Sequence, residues 1–168
     1  MNKRPAARIA FLGLLFALAL VLTFLESLIP TAGFLPPGVK LGLSNIVTMY
    51  AAIFLGYREA YAIAVLKSMF VLVTRGAVAA FMSISGGFAS VTIVLLLLLP
   101  KERLSYLLIS VIASVTHNLG QLAAASFILG ADALLYSPIL VVSGVAMGVV
   151  TGLVLRAVMP ALNRLQSR

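Results

Sequence analysis

One lysine stands alone in the middle of a long apolar stretch, and its type and position point to chemistry. Lys67 has seven uncharged residues on each side before the next charge, Glu59 or Arg75, is reached. In the middle of a membrane helix an ammonium costs roughly 2.5–3.5 kcal/mol, so such residues face the protein interior and have a partner or a function. We therefore expect the other helices to wrap the helix of Lys67 and to complete a pocket around it. The alternative is a structural lysine that bonds backbone carbonyls or extends to the membrane surface.

A second polar cluster interrupts a later apolar stretch. It contains Ser114, Thr116, His117, Asn118 and Gln121. His117 and Gln121 are four residues apart and Ser114 is three residues before His117, so these three share one face of a helix. A face that carries His and Gln at mid-depth is expected to point into a helix bundle. The alternative is ordinary hydrogen bonding between membrane helices, at about 0.6 kcal/mol per contact.

Further polar residues extend this pattern toward one side of the membrane. Glu26, Ser44 and Asn45 add polar groups to the two clusters. Lys40 and Arg75 are expected on the outer side of the membrane. Together they predict a cavity between helices 3 and 5, open to the outside, roofed by the segment 30–40 and with a cationic bias. Such a cavity suits a small ligand with a carboxylate, a phosphate or a polar heterocycle, held by charge-assisted hydrogen bonds. The predicted ligand-binding residues are Lys67, His117, Asn118, Gln121, Asn45, Arg75 and Lys40.

Glycine and alanine form three short patterns. The pair Gly86–Gly87 is expected at the start of a helix, where backbone N–H groups would meet an anion, or else in a close helix contact. The series Gly144, Gly148 and Gly152 lets another helix backbone approach closely, and internal packing is the favoured interpretation. A ladder of small residues in the first helix consists of Ala6, Ala10, Gly13 and Ala17. This ladder is expected to pack either inside the bundle or against another protein.

Composition identifies the class of protein. Of 168 residues, 62% are hydrophobic and 10% charged, with a mean hydropathy of +1.18. Soluble domains carry about 25% charged residues, so the chain is predicted to be an all-α integral membrane protein with one domain, residues 1–168. Its net charge of +8 comes from basic residues at helix ends, which indicates membrane topology rather than nucleic-acid binding.

The sequence also argues against several kinds of chemistry. It has no cysteine and four acidic residues, no two of which are near enough in sequence to chelate a metal. It lacks a Walker A motif and a Ser-His-Asp set. We therefore expect no metal, no cofactor and no catalysis.

Six transmembrane helices are predicted, several of them ended by prolines. Whether residues 77–81 form a loop or extend a helix stays open. The signal-peptide-like N-terminus is read as a retained first helix, because its apolar run is long and no cleavage site follows. The predicted helices cover about 8–29, 41–55, 59–74, 83–99, 104–129 and 138–159.

The distribution of basic residues predicts the orientation of this bundle. Six helices place both termini on one side, and nine basic residues, at both termini and in the 56–59 and 100–105 turns, lie there. Only Lys40 and Arg75 lie on the other side. By the positive-inside rule both termini are cytoplasmic.

The sequence resembles the six-helix substrate-binding (S) components of energy-coupling factor (ECF) transporters. The matching parts are the basic N-terminus, the ladder of the first helix, PPGVKLGLSNI, the GYRE turn, the lysine-bearing helix 3 and SISGGF. It is similar more closely to the Gx transporter family, described as heptaprenyl diphosphate synthase component I.

This resemblance implies a bacterial inner-membrane S component that captures a vitamin-like or precursor molecule from outside. It further implies a membrane T component, packed against Ala6, Ala10, Gly13 and Ala17, and two cytoplasmic ATPases. By the same resemblance the ligand lies near the outer ends of helices 4–6 and under the loop between helices 1 and 2. This favours Lys40, Arg75 and the outward part of helix 5 over the deepest residues. The alternatives are a non-catalytic accessory subunit in isoprenoid or quinone metabolism and a scaffold protein without a ligand.

Overall fold

The described part of the chain is helical throughout. The computed structural model describes residues 5–28, 42–99 and 104–166, with side chains for residues 9–28, 42–99 and 104–157. Six α-helices and one short 3₁₀ helix, residues 131–136, follow one another within these ranges. The α-helices are α1 (Pro5–Ser27), α2 (Asn45–Phe54), α3 (Tyr57–Arg75), α4 (Ala77–Leu97), α5 (Tyr106–Leu129) and α6 (Ser137–Gln166).

The short helix α2 lies at the centre of the bundle. It is ten residues long and contacts each of the other five α-helices. Val47, Met49 and Ala51 are buried in the main apolar core. The expectation that α3 is the wrapped helix is therefore wrong, because among the described residues α3 packs only against α1, α2 and α4. The physical reason is that α2 carries no charge, whereas α3 carries four charged residues and exposes apolar side chains such as Met69 and Val73.

Several helices have the properties of membrane spans. Four stretches within the described residues are long and apolar enough to cross a bilayer: Ile9–Ser27, Ala77–Leu97, Tyr106–Leu129 and Ala131–Ala157. The chain is thus a multi-pass membrane protein. Of the two remaining helices, α2 is apolar but short, and α3 carries four charged residues in nineteen. Six spans and cytoplasmic termini stay predictions.

The start of α4 differs from the sequence-based prediction. A single residue, Gly76, with a φ of +86°, joins α3 to α4, so α4 begins at Ala77 and the open segment 77–81 is helical. Gly86 and Gly87 consequently lie in the middle of α4, where backbone N–H groups bond to the preceding turn. The proposed anion site at a helix start is therefore wrong, and close packing is the role that the structure supports for Gly86.

The last helix also departs from expectation. It begins at Ser137, one residue before the predicted start at 138, and continues past Pro160 to Gln166. A proline removes one backbone donor, and membrane helices tolerate it when neighbouring groups compensate. The predicted loop at residues 130–138 contains the 3₁₀ helix, and helix 2 is shorter at both ends than the predicted 41–55.

The glycine series of α6 packs inside the protein. A Cβ atom at any of the three positions would lie within 3 Å of a backbone Cα atom of α5. The glycines therefore let the two helix backbones touch, as predicted. The pairs are Gly144 with Val115, Gly148 with Val111 and Gly152 with Leu107.

Candidate functional site

A polar cavity lies at one end of the bundle. The C-terminal ends of α1 and α3, the start of α2, the first turns of α4 and the second half of α5 meet there. The space between its lining atoms, including the open mouth, is about 310 Å³. The lining residues are Thr23, Glu26, Gly42, Ser44, Lys67, Val71, Arg75, Ala79, Ser83, His117 and Gln121.

Lys67 is the buried cation of this cavity. Its side chain is 3% exposed, and Nζ donates a hydrogen bond of 2.9 Å to Oδ1 of Asn45. Asn45 is itself buried at the first position of α2. The burial of Lys67 follows from the cost of an ammonium in lipid, and the hydrogen bond to α2 fixes where the ammonium lies.

Gly42 closes the cavity over Asn45. Its φ of +96° lies in the left-handed region, which favours glycine. A Cβ atom here would lie 2.7 Å from Nδ2 of Asn45 and 3.5 Å from Cδ2 of His117. Any side chain would therefore displace Asn45, the residue that holds Lys67.

The α5 wall of the cavity consists of His117 and Gln121, which are both buried. His117 interacts electrostatically with Lys67, and its ring forms a hydrogen bond with the backbone of Gly86 on α4. Its Nδ1 atom is buried without a hydrogen-bond partner among the described residues. The close approach depends on Gly86, where a Cβ atom would lie 2.7 Å from the His117 carbonyl oxygen.

An acid and a second cation lie closer to the mouth. Glu26, at 4% exposed, accepts a hydrogen bond from the backbone N–H of Gly42. Its carboxylate attracts the guanidinium of Arg75, a residue that is itself exposed. The cavity thus holds two cations and one carboxylate among its described residues.

The predicted site residues fall into three groups. Lys67, Arg75, His117 and Gln121 come together around the cavity, while Asn45 lies behind Lys67 as its partner. Asn118 faces the other way. Its Nδ2 atom donates to the Leu140 carbonyl oxygen at 2.8 Å and to Ser143 Oγ at 3.2 Å, both on α6. Lys40 and the proposed roof, residues 30–40, lie outside the described residues.

Five lining residues were not predicted: Thr23, Gly42, Val71, Ala79 and Ser83. Thr23 lies one turn before Glu26 on the same face of α1, a spacing that could have revealed it. Ser83 accepts a hydrogen bond of 3.2 Å from Ser68 Oγ. Its role was obscured because the sequence placed it at a helix start rather than inside α4.

The small-residue ladder of α1 faces away from the bundle. Ala10, Gly13 and Ala17 are exposed, and nothing lies within 4 Å of a Cβ atom built at Gly13. The opposite face of α1 carries the buried Leu15 and Ala19. The side chain of Ala6 lies outside the described residues.

Comparisons with known proteins agree with this architecture. The fold is similar to that of a solved structure, the S component of a bacterial ECF transporter, with 22% sequence identity and a TM-score of 0.65. The similarity covers 98% of this chain and 97% of that one. At this level of identity it establishes the fold alone. No functionally curated protein matches the chain. A family model, heptaprenyl diphosphate synthase component I, matches residues 15–158, which confirms the resemblance seen in the sequence. The chain therefore belongs to the heptaprenyl diphosphate synthase component I family.

Proposed function

We propose that the protein is the substrate-binding S component of an ECF-type uptake transporter. In this role it captures a small vitamin-like or precursor molecule from outside and catalyses no reaction itself. The observation that carries the proposal is the cavity with the buried, hydrogen-bonded Lys67 at one end of the bundle. The similarity of the whole fold to an ECF S component supports it.

The cavity offers the chemistry that a small anionic or strongly polar ligand needs. Lys67 and Arg75 supply cationic donors, and His117 and Gln121 supply polar groups on the facing wall. Charge-assisted hydrogen bonds of this kind contribute roughly 1.5–3 kcal/mol each. Binding is strengthened because a buried ammonium is screened less by water and salt than an exposed one.

Replacement of Lys67 by Met tests the ligand role directly. Met retains much of the side-chain length and suits an apolar interior, so Lys67→Met removes the charge while preserving the packing. We expect the detergent-purified protein to retain a small molecule in native mass spectrometry and the variant to bind it at least tenfold more weakly. The matched control is Leu66→Met, on the neighbouring half-exposed side chain, which is expected to bind normally.

Two outcomes would contradict the proposal. A wild-type protein that never carries or binds a small molecule would leave the scaffold alternative. Unchanged binding in Lys67→Met would return Lys67 to the structural role of joining α3 to α2 through Asn45.

The proposed setting is a bacterial cytoplasmic membrane, crossed six times, with both termini in the cytoplasm. The proposed partners are a membrane T component and cytoplasmic ATPases, because the fold resembles an S component. Within this proposal the T component docks on the ladder Ala6, Ala10, Gly13 and Ala17, whose described members are exposed and leave room for close backbone approach.

The description of the family favours one alternative, a membrane accessory of a prenyl diphosphate synthase. Such synthases use Asp-rich Mg²⁺ sites, whereas this chain has one aspartate, Asp132. As an accessory subunit of such a synthase, the protein would be non-catalytic by itself. Affinity purification separates the two proposals: a T component with ATPases supports the first, and a prenyl synthase supports the second.

A further inference from the structure

An exposed arginine at the start of α3 is held in place by the tyrosine before it. Nε of Arg58 donates a hydrogen bond of 3.0 Å to the hydroxyl oxygen of Tyr57. The guanidinium carbon also lies 5.6 Å from the centroid of the Tyr57 ring, within the distance of a cation–π contact. Both side chains are exposed. Nε is thus bonded to the tyrosine, whereas the Nη groups form no hydrogen bond with the described residues.

This arrangement suits an anion with two oxygen atoms. A guanidinium donates two parallel hydrogen bonds to a phosphate or a carboxylate, with a more defined geometry than an ammonium. Because Tyr57 already restricts the guanidinium of Arg58, less side-chain freedom is lost when an anion binds. Tyrosine and arginine at the end of a membrane helix are also typical of the depth at which lipid headgroups lie.

An apolar stripe on α3 continues from Arg58 along the outside of the bundle. The residues 4, 8, 11 and 15 positions after Arg58 are all exposed and fall within an arc of about 80° around the helix. The third of them, Met69, lies about 17 Å from Arg58 along the helix axis, close to the depth of about 15 Å for the hydrocarbon of one leaflet. In a multi-pass membrane protein such a stripe contacts lipid chains. It consists of Ala62, Leu66, Met69 and Val73.

We propose that Arg58 and this stripe form a binding site for one anionic phospholipid. The phosphate binds the Nη groups of Arg58, Tyr57 positions the guanidinium, and one acyl chain lies along α3. A soluble anion would use the arginine but not the stripe, so a lipid fits the two features together. The site does not depend on the proposed ligand capture, because Lys67 lies about 180° around α3 from Arg58.

Lipid binding to the detergent-purified, full-length protein tests the proposal. Phosphatidylglycerol and phosphatidylcholine with the same acyl chains are each titrated, and native mass spectrometry measures the lipid-bound fraction of the protein. Identical chains cancel the apolar contribution, so the difference reports the headgroup. One basic residue near an anionic headgroup strengthens binding about fivefold, and we expect at least this preference for phosphatidylglycerol.

Three substitutions separate a built site from general charge attraction. Arg58→Gln removes the cation and is expected to abolish the preference for phosphatidylglycerol. Arg58→Lys retains the charge but not the two parallel donors, and Tyr57→Phe retains the ring but not the hydroxyl that holds Nε. Each of these two is expected to lower the preference by about twofold or more. The matched control is Arg156→Gln, which removes an exposed arginine of α6 and is expected to leave the preference unchanged.

The results that would overturn the proposal are distinct. A wild type without the preference, or an equal loss in Arg156→Gln, would show that charge acts without a site. Full preference in either Arg58→Lys or Tyr57→Phe would show that the held guanidinium plays no part. Glycerol phosphate, which lacks acyl chains, is the last probe: competition at the same concentration as the lipid would assign Arg58 to a soluble anion and refute the lipid site. Circular dichroism checks that each variant is folded; if Arg58→Gln is not, the comparison of Arg58→Lys with the wild type decides.

Discussion

Gly86 and Gly87 provide a sharp test of the packing that shapes the cavity. The two glycines are adjacent in the middle of α4, yet they face different neighbours. A Cβ atom at Gly86 would lie 2.7 Å from the carbonyl oxygen of His117 and 2.8 Å from Cγ of Gln121. A Cβ atom at Gly87 would meet the Cβ atom of Ala64 at 3.4 Å, an ordinary contact. Gly86→Ala is therefore expected to disturb the cavity, and Gly87→Ala is not.

The magnitude follows from these distances. Comfortable non-bonded contacts lie near 3.5–4 Å, so α4 and α5 must separate by roughly 0.5–1 Å to accept a methyl group at Gly86. Overpacking of this kind costs about 1–3 kcal/mol. Each substitution also gains up to about 1 kcal/mol of helix propensity, and the comparison of the two variants cancels this gain. Gly86→Ala is thus expected to be less stable than Gly87→Ala by about 1–3 kcal/mol.

The assay is thermal unfolding of both variants and the wild type in one detergent, followed by circular dichroism, together with binding of the retained ligand. Gly86→Ala is expected to unfold at a lower temperature and to bind more weakly, because His117 and Gln121 move with α5. Equal unfolding temperatures for the two variants would refute the conclusion that α4 and α5 touch at Gly86. Lower stability with unchanged binding would show that the displaced wall does not contact the ligand.

Two further predictions concern the partner and the membrane. Gly13→Trp is expected to abolish association with a T component while leaving the fold intact, because the space around Gly13 is open; Leu18→Trp, about 100° around α1 from Ala17, is the control. Continued association of Gly13→Trp in co-purification would exclude this docking face. For orientation, a cysteine at Arg58 is expected to be shielded from an impermeant thiol reagent in intact cells and one at Ala131 to be labelled. Labelling at Arg58 would reverse the proposed topology.

Much of the fold follows from apolar patterning in the sequence. Long uncharged stretches and their proline or glycine boundaries indicated six helices, because each segment has to satisfy its backbone hydrogen bonds internally within lipid. Local signals failed where a single residue makes a turn or is tolerated in a helix. Gly76 alone separates α3 from α4, and α6 continues through Pro160. The φ of +86° at Gly76 favours glycine, so the end of α3 is a local signal, but nothing in the sequence shows that α4 begins at the very next residue.

The sequence predicts which face of a helix points to the cavity, but it does not predict which residues of other helices the polar side chains contact. Residues 114, 117 and 121 share one side of α5 by spacing alone, and this side does place His117 and Gln121 at the cavity. Asn118 is one residue on from His117, about 100° around the helix, and it bonds to α6 instead. A run of adjacent polar residues on a helix therefore cannot serve a single cavity.

Two of the charged residues at the cavity, Lys67 and Glu26, show how far the cost of burying a charge determines structure. The cost of an ammonium in lipid predicts that Lys67 turns inward, but it does not identify the acceptor. Asn45 is 22 residues away in sequence, and the two meet because α2 packs against α3. Glu26 presents the same problem from α1, since its acceptor role depends on Gly42. Both links end at the start of α2, so the position of this helix determines how the charges of the cavity are arranged.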